Sequence, residues 1–468
     1  MSTLLDNSPD LINPPEKDDL FTGWWVDEKY GEVPQPKELF KESSVRQINI
    51  KFATLMGLFF VVAFAVRLIY IYNYRWDQQA GGDYFFYRIF ATDLSHFHWP
   101  TIPGTSIPTA SHPPMWSIIL AVGDWLGLQT IREQIVINCF LGSVLVVVVG
   151  YIAKQIRSVN MGIIAALIGI FYPGFWVYDG TGLAEPTECL LVALCILVCY
   201  HYIKHPSFKK AILLGFLIGC TVLARSEQIT LLAFMVLPVV LRVKGISLKK
   251  KFFSLIVVGL TTLATIAPWS IHVYTSFHHP EFLSTESGIT LETANCYATY
   301  YGPFTGYWNY NCAENLPMPT GQAAADVYLR QVAIDFVKQH ESRVPFVVLV
   351  RELRMFAIWN PSQQESLDTT EGWALIAAKL DTWVFWVMTP LALCGIVLLI
   401  RRKVPIAPLT SAIILTILVA ALIYGNQRYR ASFEISWVIL GSVTIEALLS
   451  RVRKVHIINR HSSFANKV

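Results

Sequence analysis

Charged residues are scarce in this chain. Asp, Glu, Lys and Arg make up 15% of its 468 residues, whereas hydrophobic residues make up 54% and the mean hydropathy is +0.45. Soluble globular domains carry about 25% charged residues, so the composition argues against a soluble protein. Several apolar runs are long enough to cross a hydrocarbon core of about 30 Å. The sequence therefore predicts an all-α polytopic membrane protein.

The apolar runs set the expected number of crossings. The long runs are 52–73, 131–152, 159–178, 182–203, 252–274, 379–400, 406–424 and 432–450. Two shorter runs, 211–224 and 226–243, are separated by a polar "RSEQ" turn. The segment 113–128 is short and contains Asp124, so we expect it, like residues 83–95, to form a helix along the outer surface. This pattern predicts about ten transmembrane helices.

Lys and Arg collect in alternate connections, which predicts that both termini are cytoplasmic. The expected domains are a cytoplasmic tail 1–50, a membrane module 51–275 with a first external loop 74–130, an extracytoplasmic loop 276–378, C-terminal helices 379–450 and a basic cytoplasmic tail 451–468. The first fifty residues lack the apolar core of a signal peptide, so we expect no cleaved signal. Residues 1–45 are expected to be disordered, with a short amphipathic piece at "LFTGWWVDEKY". Because the net charge of +4 comes mainly from cytoplasmic loops, it argues against nucleic-acid binding.

Cysteine is almost confined to the predicted helices, where it acts as a small buried hydrophobe. Cys296 and Cys312 are the exceptions, since both lie in the long external loop. An oxidising exterior favours a disulfide between them over two free thiols.

Several motifs of soluble catalysis are missing. The sequence has no Gly-rich phosphate loop, no HExxH, no clear nucleophile elbow and no DxD pair in an external loop. His96 and His98 are two residues apart and so point to different faces of a helix, which favours positions in an interfacial aromatic belt over a metal pair. We therefore expect no obligatory metal and no cofactor.

The ionisable residues in or beside the apolar segments mark a site at the outer face. Those at predicted outer helix ends are Arg67, Asp179, Glu185, Glu188, Arg225, Glu227, Arg428, Arg430 and Glu434. A transporter would place polar groups near the membrane midplane on broken, repeated helices, and no such repeat is present. Nucleotide sugars cannot reach an external site, so an activated donor has to arrive as a lipid. Transfer from a polyprenyl-phosphate sugar needs a carboxylate base and groups that stabilise the leaving phosphate.

An ordered set of motifs carries a family resemblance. "GGDYFFY" (81–87) follows the first crossing, "SHPPMW" (111–116) opens a surface helix, "YPGFWVYDGTGLAEP" (172–186) ends another, and "PWSIHVY" (268–274) closes the module. The set resembles the C-type glycosyltransferase superfamily, in particular the family-39-like branch of protein O-mannosyltransferases and lipid A aminoarabinose transferases. The resemblance implies that Asp83 is the catalytic base, that His112 stands where the family has a basic phosphate ligand, and that Glu185 orients an acceptor or a cation.

Alternative interpretations of these residues remain open. Asp83 could be a helix N-cap, and His112 could cap the helix that begins near Pro113. Glu185 could merely offset the helix dipole, and Asp179 is a second candidate for its role.

Arginines are the best candidates for the donor phosphate, because guanidinium groups bind phosphate oxygens bidentately. Arg225, Arg428 and Arg430 lie at outer mouths, although such arginines also extend toward lipid headgroups. In the long loop, Tyr300, Tyr301, Tyr307 and Trp308 could stack on sugar rings above Asp83 and select the acceptor. We predict the acceptor role; the alternative is that these aromatic residues pack only against one another and the lipid interface, as a structural lid.

The functional hypothesis is a multi-pass glycosyltransferase of the cell membrane. It would move a sugar, with inversion, from a polyprenyl-phosphate donor to a glycan, glycolipid or protein at the extracytoplasmic face. The alternative is a transporter or flippase of lipid-linked sugars, or a binding subunit without activity.

Overall fold

The computed structural model describes residues 42–76, 82–278, 281–314 and 316–465. Within these ranges the chain is helical, with a single isolated β-bridge between Thr101 and Pro108. The helices are α1 (Glu42–Tyr74), α2 (Asp83–Ser95), α3 (Met115–Trp125), α4 (Ile131–Ile156), α5 (Val159–Phe171), α6 (Glu185–Lys204), α7 (Phe208–Ala224), α8 (Leu237–Arg242), α9 (Leu248–Phe277), α10 (Ser287–Ala294), α11 (Tyr297–Tyr301), α12 (Asn311–Glu314), α13 (Gln322–Gln339), α14 (Val344–Met355), α15 (Pro361–Asp368), α16 (Leu375–Arg401), α17 (Ala407–Leu422) and α18 (Ala431–Ala465).

The all-α polytopic fold class is confirmed. Six helices in the described ranges are long and apolar enough to cross a membrane: Asn49–Tyr74, Ile131–Ile156, Glu185–Lys204, Leu248–Phe277, Leu375–Arg401 and Gln427–Arg451. Shorter apolar helices, among them Met115–Trp125, Val159–Phe171 and Ala407–Leu422, accompany them.

The span predicted at 159–178 is wrong in its length. Helix α5 ends at Phe171, because Pro173 forces Tyr172 out of the helical region (φ −74°, ψ 114°). A 3-10 turn at Pro173–Phe175 follows, and the chain reaches α6 through an irregular segment. Pro173 thus ends the helix well before the predicted span is complete.

Helices occur in both predicted segments: α2 spans Asp83–Ser95, and α3 spans Met115–Trp125 within the predicted 113–127. Their predicted position along the outer surface stays a prediction. The Ser117 hydroxyl donates to the Tyr87 carbonyl at 2.9 Å, and Arg88 pairs with Asp124 at 2.7 Å. The alternative capping roles are not observed. Gly82 caps α2 and Asp83 is its first residue, while Pro114 caps α3 without a hydrogen bond from His112.

Helices extend into both predicted tails, whose boundaries stay predictions. Helix α1 begins at Glu42, inside the tail predicted at 1–50, and α18 continues to Ala465, through most of the tail predicted at 451–468. The amphipathic piece predicted at "LFTGWWVDEKY" lies outside the described residues.

The cysteines follow the expected division with one exception. Cys296 and Cys312 are joined by a disulfide within the segment 276–378, as predicted. Five of the other cysteines are buried, at 139, 189, 195, 199 and 220, whereas Cys394 is exposed on α16. The prediction of a buried Cys394 is wrong because its side chain lies on the outer face of the bundle.

Candidate functional site

Two motifs meet to position the first two acids of the site. The Trp116 indole of "SHPPMW" donates to the Gly182 carbonyl of "GTGLAEP" at 2.8 Å. Gly182 has a φ of +70°, and a Cβ there would overlap the Tyr84 ring, so only glycine lets α2 approach this turn. The contact places the start of α2, with Asp83, beside the start of α6, with Glu185.

Arg428 is the centre of the site. Its guanidinium donates to Asp83 Oδ2 at 3.0 Å, to Glu371 Oε2 at 3.1 Å and to Glu185 Oε1. The side chain of Glu185 is fully buried, whereas that of Asp83 is 37% exposed. Asp83 and Glu185 each begin a helix, where the N-terminal partial charge also favours a carboxylate. Asp83 is therefore held ionised and open to the site at the same time.

Arg225 extends the network on the other side of Glu185. Its Nη1 lies 3.0 Å from Glu185 Oε1, and its Nε lies 2.7 Å from Glu227 and 3.5 Å from Glu188. Glu185 thus bridges Arg225 and Arg428. The shared carboxylate fixes the two guanidiniums relative to each other.

His112 lies on the opposite side of Asp83. Its Nε2 is 3.6 Å from Asp83 Oδ1 and 3.5 Å from Glu286 Oε2, and its ring packs against Phe86 and Tyr87. Burial would lower the pKa of His112, but the carboxylates of Glu286 and Asp83 outweigh it and raise that pKa above its usual value. The imidazole is thereby held toward its charged form.

The positively charged neighbours of Asp83 lower its pKa. Burial would raise the pKa of Asp83, but Arg428 and then His112 reverse the effect and hold it well below its usual range. Glu286 behaves differently, since burial raises its pKa to about 7. The site therefore pairs a firmly ionised acid with one that titrates near neutrality.

Two predicted site residues lie elsewhere. Asp179 is fully buried and pairs with Arg67 at 3.0 Å. Arg430 is also fully buried, between Asp381 and Glu434, with its guanidinium over the Phe385 ring. Both ion pairs are buried inside the bundle and outside the group around Arg428, and the predicted roles of Arg430 as a phosphate ligand and of Asp179 as an orienting acid stay predictions.

The aromatic residues of the long loop divide into two groups. The Tyr307 hydroxyl lies 3.5 Å from Glu371 and accepts from Asn426 at 3.3 Å, and its ring stacks on Trp308. Tyr300 and Tyr301 instead pack against α13 near His340. Tyr307 and Trp308 thus lie next to the acids around Arg428, and the other two tyrosines do not.

Glu286 and Glu371 were missed by the sequence reasoning. They lie close to the two ends of the long external loop, just after one predicted span and just before the next. Both acids thus lie near predicted helix ends, as do the other ionisable residues of the site, and this position could have identified them. Among the described residues, no group of three or more His, Cys, Asp or Glu is arranged to hold a metal ion, and the metal-independent reaction stays a prediction.

The comparisons agree with the sequence resemblance. A family model described as dolichyl-phosphate-mannose-protein mannosyltransferase matches residues 111–272, and no curated protein matches the chain. That range includes His112, Glu185 and Arg225 but neither Asp83 nor Arg428.

Comparison with solved structures shows which proteins share the fold of this chain. The oligosaccharyltransferase AglB from Archaeoglobus fulgidus, in complex with an inhibitory peptide and a dolichol-phosphate, aligns with a TM-score of 0.53 at 14% identity, over 88% of this chain and 52% of that one. An oligosaccharyltransferase from the same organism, tethered to an acceptor peptide, gives 0.53 at 13% identity, over 86% and 50%. ArnT from Cupriavidus metallidurans, bound to undecaprenyl phosphate, gives 0.42 at 16% identity, over 84% and 78%.

The resemblance to C-type glycosyltransferases is confirmed by the family match and by this shared fold. The chain spans about half the length of the oligosaccharyltransferases that it matches.

Proposed function

We propose that this protein is a membrane glycosyltransferase that moves a sugar from a polyprenyl-phosphate donor to an acceptor hydroxyl at the extracytoplasmic face. The observation that carries the proposal is Asp83, an ionised and partly exposed carboxylate held between Arg428 and His112. A lipid-linked donor is supported by the matched AglB structure, which contains a dolichol-phosphate.

Asp83 is the general base in this reaction. The acceptor hydroxyl oxygen attacks the anomeric carbon while its proton passes to an Asp83 oxygen. The bond between that carbon and the phosphate oxygen breaks, and the polyprenyl phosphate leaves with the electron pair. Attack opposite the leaving group inverts the anomeric configuration.

Arg428 links donor binding to the strength of the base. Its guanidinium is shared by Asp83, Glu185 and Glu371. A donor phosphate that binds Arg428 competes with Asp83 for the same positive charge. As that stabilisation weakens, the pKa of Asp83 rises toward its ordinary value and the carboxylate becomes a stronger base. Asp83 would thus gain full basicity only in the donor complex.

His112 and Arg225 have supporting roles. The imidazole, kept toward its charged form by Glu286, lies beside Asp83 and contributes positive charge to the leaving phosphate. Arg225 can contact the same phosphate only if the Glu185 bridge holds it next to Arg428. Because its side chain is buried between them, Glu185 is proposed to position the two arginines.

The acceptor is proposed to enter under the long external loop. Tyr307 and Trp308 offer stacked aromatic faces beside Glu371, which is the geometry that sugar rings favour. The Cys296–Cys312 disulfide closes a segment with a sequence separation of 16, which supplies about 3 kcal/mol of ordering by restricting the open chain.

The disulfide gives a test of the acceptor site. A double Cys296→Ser/Cys312→Ser variant should raise the KM for acceptor more than the Kd for donor. Unchanged acceptor kinetics in the folded variant would leave the loop as scaffold and direct attention to the mouth at 425–434.

The activity itself is tested with purified protein and a panel of polyprenyl-phosphate sugars, each with glycan, glycolipid and peptide acceptors. The expected result is release of free polyprenyl phosphate with at least one donor, and none with nucleotide sugars. The matched control is Asp83→Asn, which should bind donor without releasing the lipid. Movement of a labelled lipid-linked sugar across vesicles without its cleavage would instead support the flippase alternative.

A further inference from the structure

A second cavity lies at the end of the bundle opposite the Asp83 site. It has a volume of about 240 Å³ and is formed by the end of α6, by α8, and by the connection from α16 to α17. Ile203 in its wall follows Glu185 by 18 residues on α6, which places the two about 27 Å apart at a rise of 1.5 Å per residue. That separation is close to the thickness of a hydrocarbon core, so the cavity lies at the other membrane face.

The wall of the cavity suits hydrocarbon. Nine of its twelve lining residues are apolar, with Ile203, Val239, Val243, Val404 and Ile406 among them. A cavity of this kind accepts an acyl chain by removing apolar surface from water. Such a wall offers little to a soluble polar metabolite.

Its remaining lining residues are all basic. Arg242, Lys244 and Lys403 line the cavity together with the apolar side chains. The three chain segments that form it, 189–226, 228–280 and 382–433, contain no Asp or Glu. Among the described residues, Arg242 and Lys403 form no ion pair. The charge at the rim is therefore complementary to an anionic headgroup.

Lys403 carries a second, independent signal. It has a φ of 56° and follows the end of α16, where its N–H donates to the Ile400 carbonyl at 2.9 Å and the Val404 N–H donates to the Leu399 carbonyl at 3.0 Å. This is the Schellman arrangement, in which glycine is preferred because a side chain is strained in the left-handed region. A lysine in this strained position, at the mouth of a basic cavity, points to a role for its side chain rather than for its backbone.

We propose that this cavity binds an anionic phospholipid, with an acyl chain in the apolar wall and the phosphodiester between Arg242 and Lys403. The site is separate from the proposed transfer reaction and does not depend on it. It lies on the side where basic residues collect, which the charge pattern predicts to be cytoplasmic.

The test measures binding of phosphatidylglycerol and phosphatidylcholine to the delipidated full-length protein by native mass spectrometry. Phosphatidylglycerol should bind more tightly. Lys403→Gly and Arg242→Ala should each weaken it about fivefold, the effect of losing one nearby cation. Lys403→Gly is informative because glycine fits the left-handed position, so the fold is preserved. Lys249→Ala is the matched control, since it removes one exposed charge from the basic side without lining the cavity.

A filling variant separates binding in the cavity from attraction to the surface. Ile406→Trp leaves both cations in place but occupies the cavity, so phosphatidylglycerol binding should fall to the level of phosphatidylcholine. Persistence of binding in Ile406→Trp, or equal binding of the two lipids to the unmodified protein, would overturn the proposal. Displacement of the lipid by inorganic phosphate would assign the site to free phosphate. Displacement by an equal concentration of polyprenyl phosphate would assign it to the carrier, and either result would overturn the assignment to phospholipid.

Discussion

Asp83 and Asp179 provide a matched pair of substitutions that separates catalysis from folding. The sequence offered both acids as site residues, and the structure places them in different surroundings. The side chain of Asp83 is 37% exposed and its partner Arg428 retains two other carboxylates, whereas Asp179 and Arg67 are fully buried and paired only 3.0 Å apart. The same Asp→Asn change should therefore have opposite consequences at the two positions.

The expected magnitudes follow from these surroundings. Asp83→Asn should change the free energy of unfolding by at most about 1 kcal/mol, because a partly exposed ion pair contributes little. Sugar transfer should fall about 10²- to 10⁴-fold with loss of the general base. Asp179→Asn leaves the Arg67 charge buried without a counterion, which should cost about 3–5 kcal/mol of stability. Its transfer rate per folded molecule should stay near that of the unmodified protein.

Both quantities can be measured on the same preparations. Thermal unfolding in detergent reports stability, and release of polyprenyl phosphate, normalised to the folded fraction, reports transfer. Full activity of a folded Asp83→Asn variant would refute the assignment of the base. A strong loss of activity in Asp179→Asn without a lower unfolding temperature would show that Asp179, rather than Asp83, belongs to the reaction.

Two further predictions concern the surroundings of the base. Glu286→Gln removes a carboxylate that raises the pKa of His112. If the charged imidazole assists transfer, the loss of activity on raising the pH should begin at a lower pH than in the unmodified protein, and an unshifted pH profile would exclude this role. Gly182→Ala should displace α2, because the new methyl group collides with Tyr84, and should reduce both stability and transfer. The control is Gly104→Ala, which is also at positive φ but has open space around it and should lose only about 1–2 kcal/mol of stability to backbone strain. Equal losses of unfolding temperature in the two variants would contradict the close approach of α2 to Gly182.

Local patterns predicted the helices well where the signal lay within one segment. Helix α3 was expected to be too short to span the membrane because its apolar run is brief and contains Asp124, which pairs with Arg88. The end of α5 was missed, because the apolar run continues past Phe171 although Pro173 stops the helix. A hydropathy profile does not show that a residue before proline is disfavoured in a helix, whereas the position of Pro173 does.

The sequence motifs predicted several residues of the site, but not which side chains contact one another. Asp83, His112 and Glu185 were expected from motif order, and the structure brings all three to Arg428 or to its contacts. Glu286, which pairs with His112, and Glu371, which pairs with Arg428, belong to none of these motifs. They enter the site only because the long loop folds back over the bundle.

The sequence by itself determined that the chain is an all-helical membrane protein, that its polar chemistry lies at helix ends, and that two loop cysteines can pair, because these properties depend on neighbouring residues. Only the tertiary structure decided which arginine serves the site. Arg428 and Arg430 are two residues apart on one 3-10 turn, yet the first reaches Asp83, 345 positions away in sequence, and the second is buried against Asp381. A guanidinium must find a counterion wherever packing provides one, and that partner is set by how the helices assemble rather than by the residues beside it in the chain.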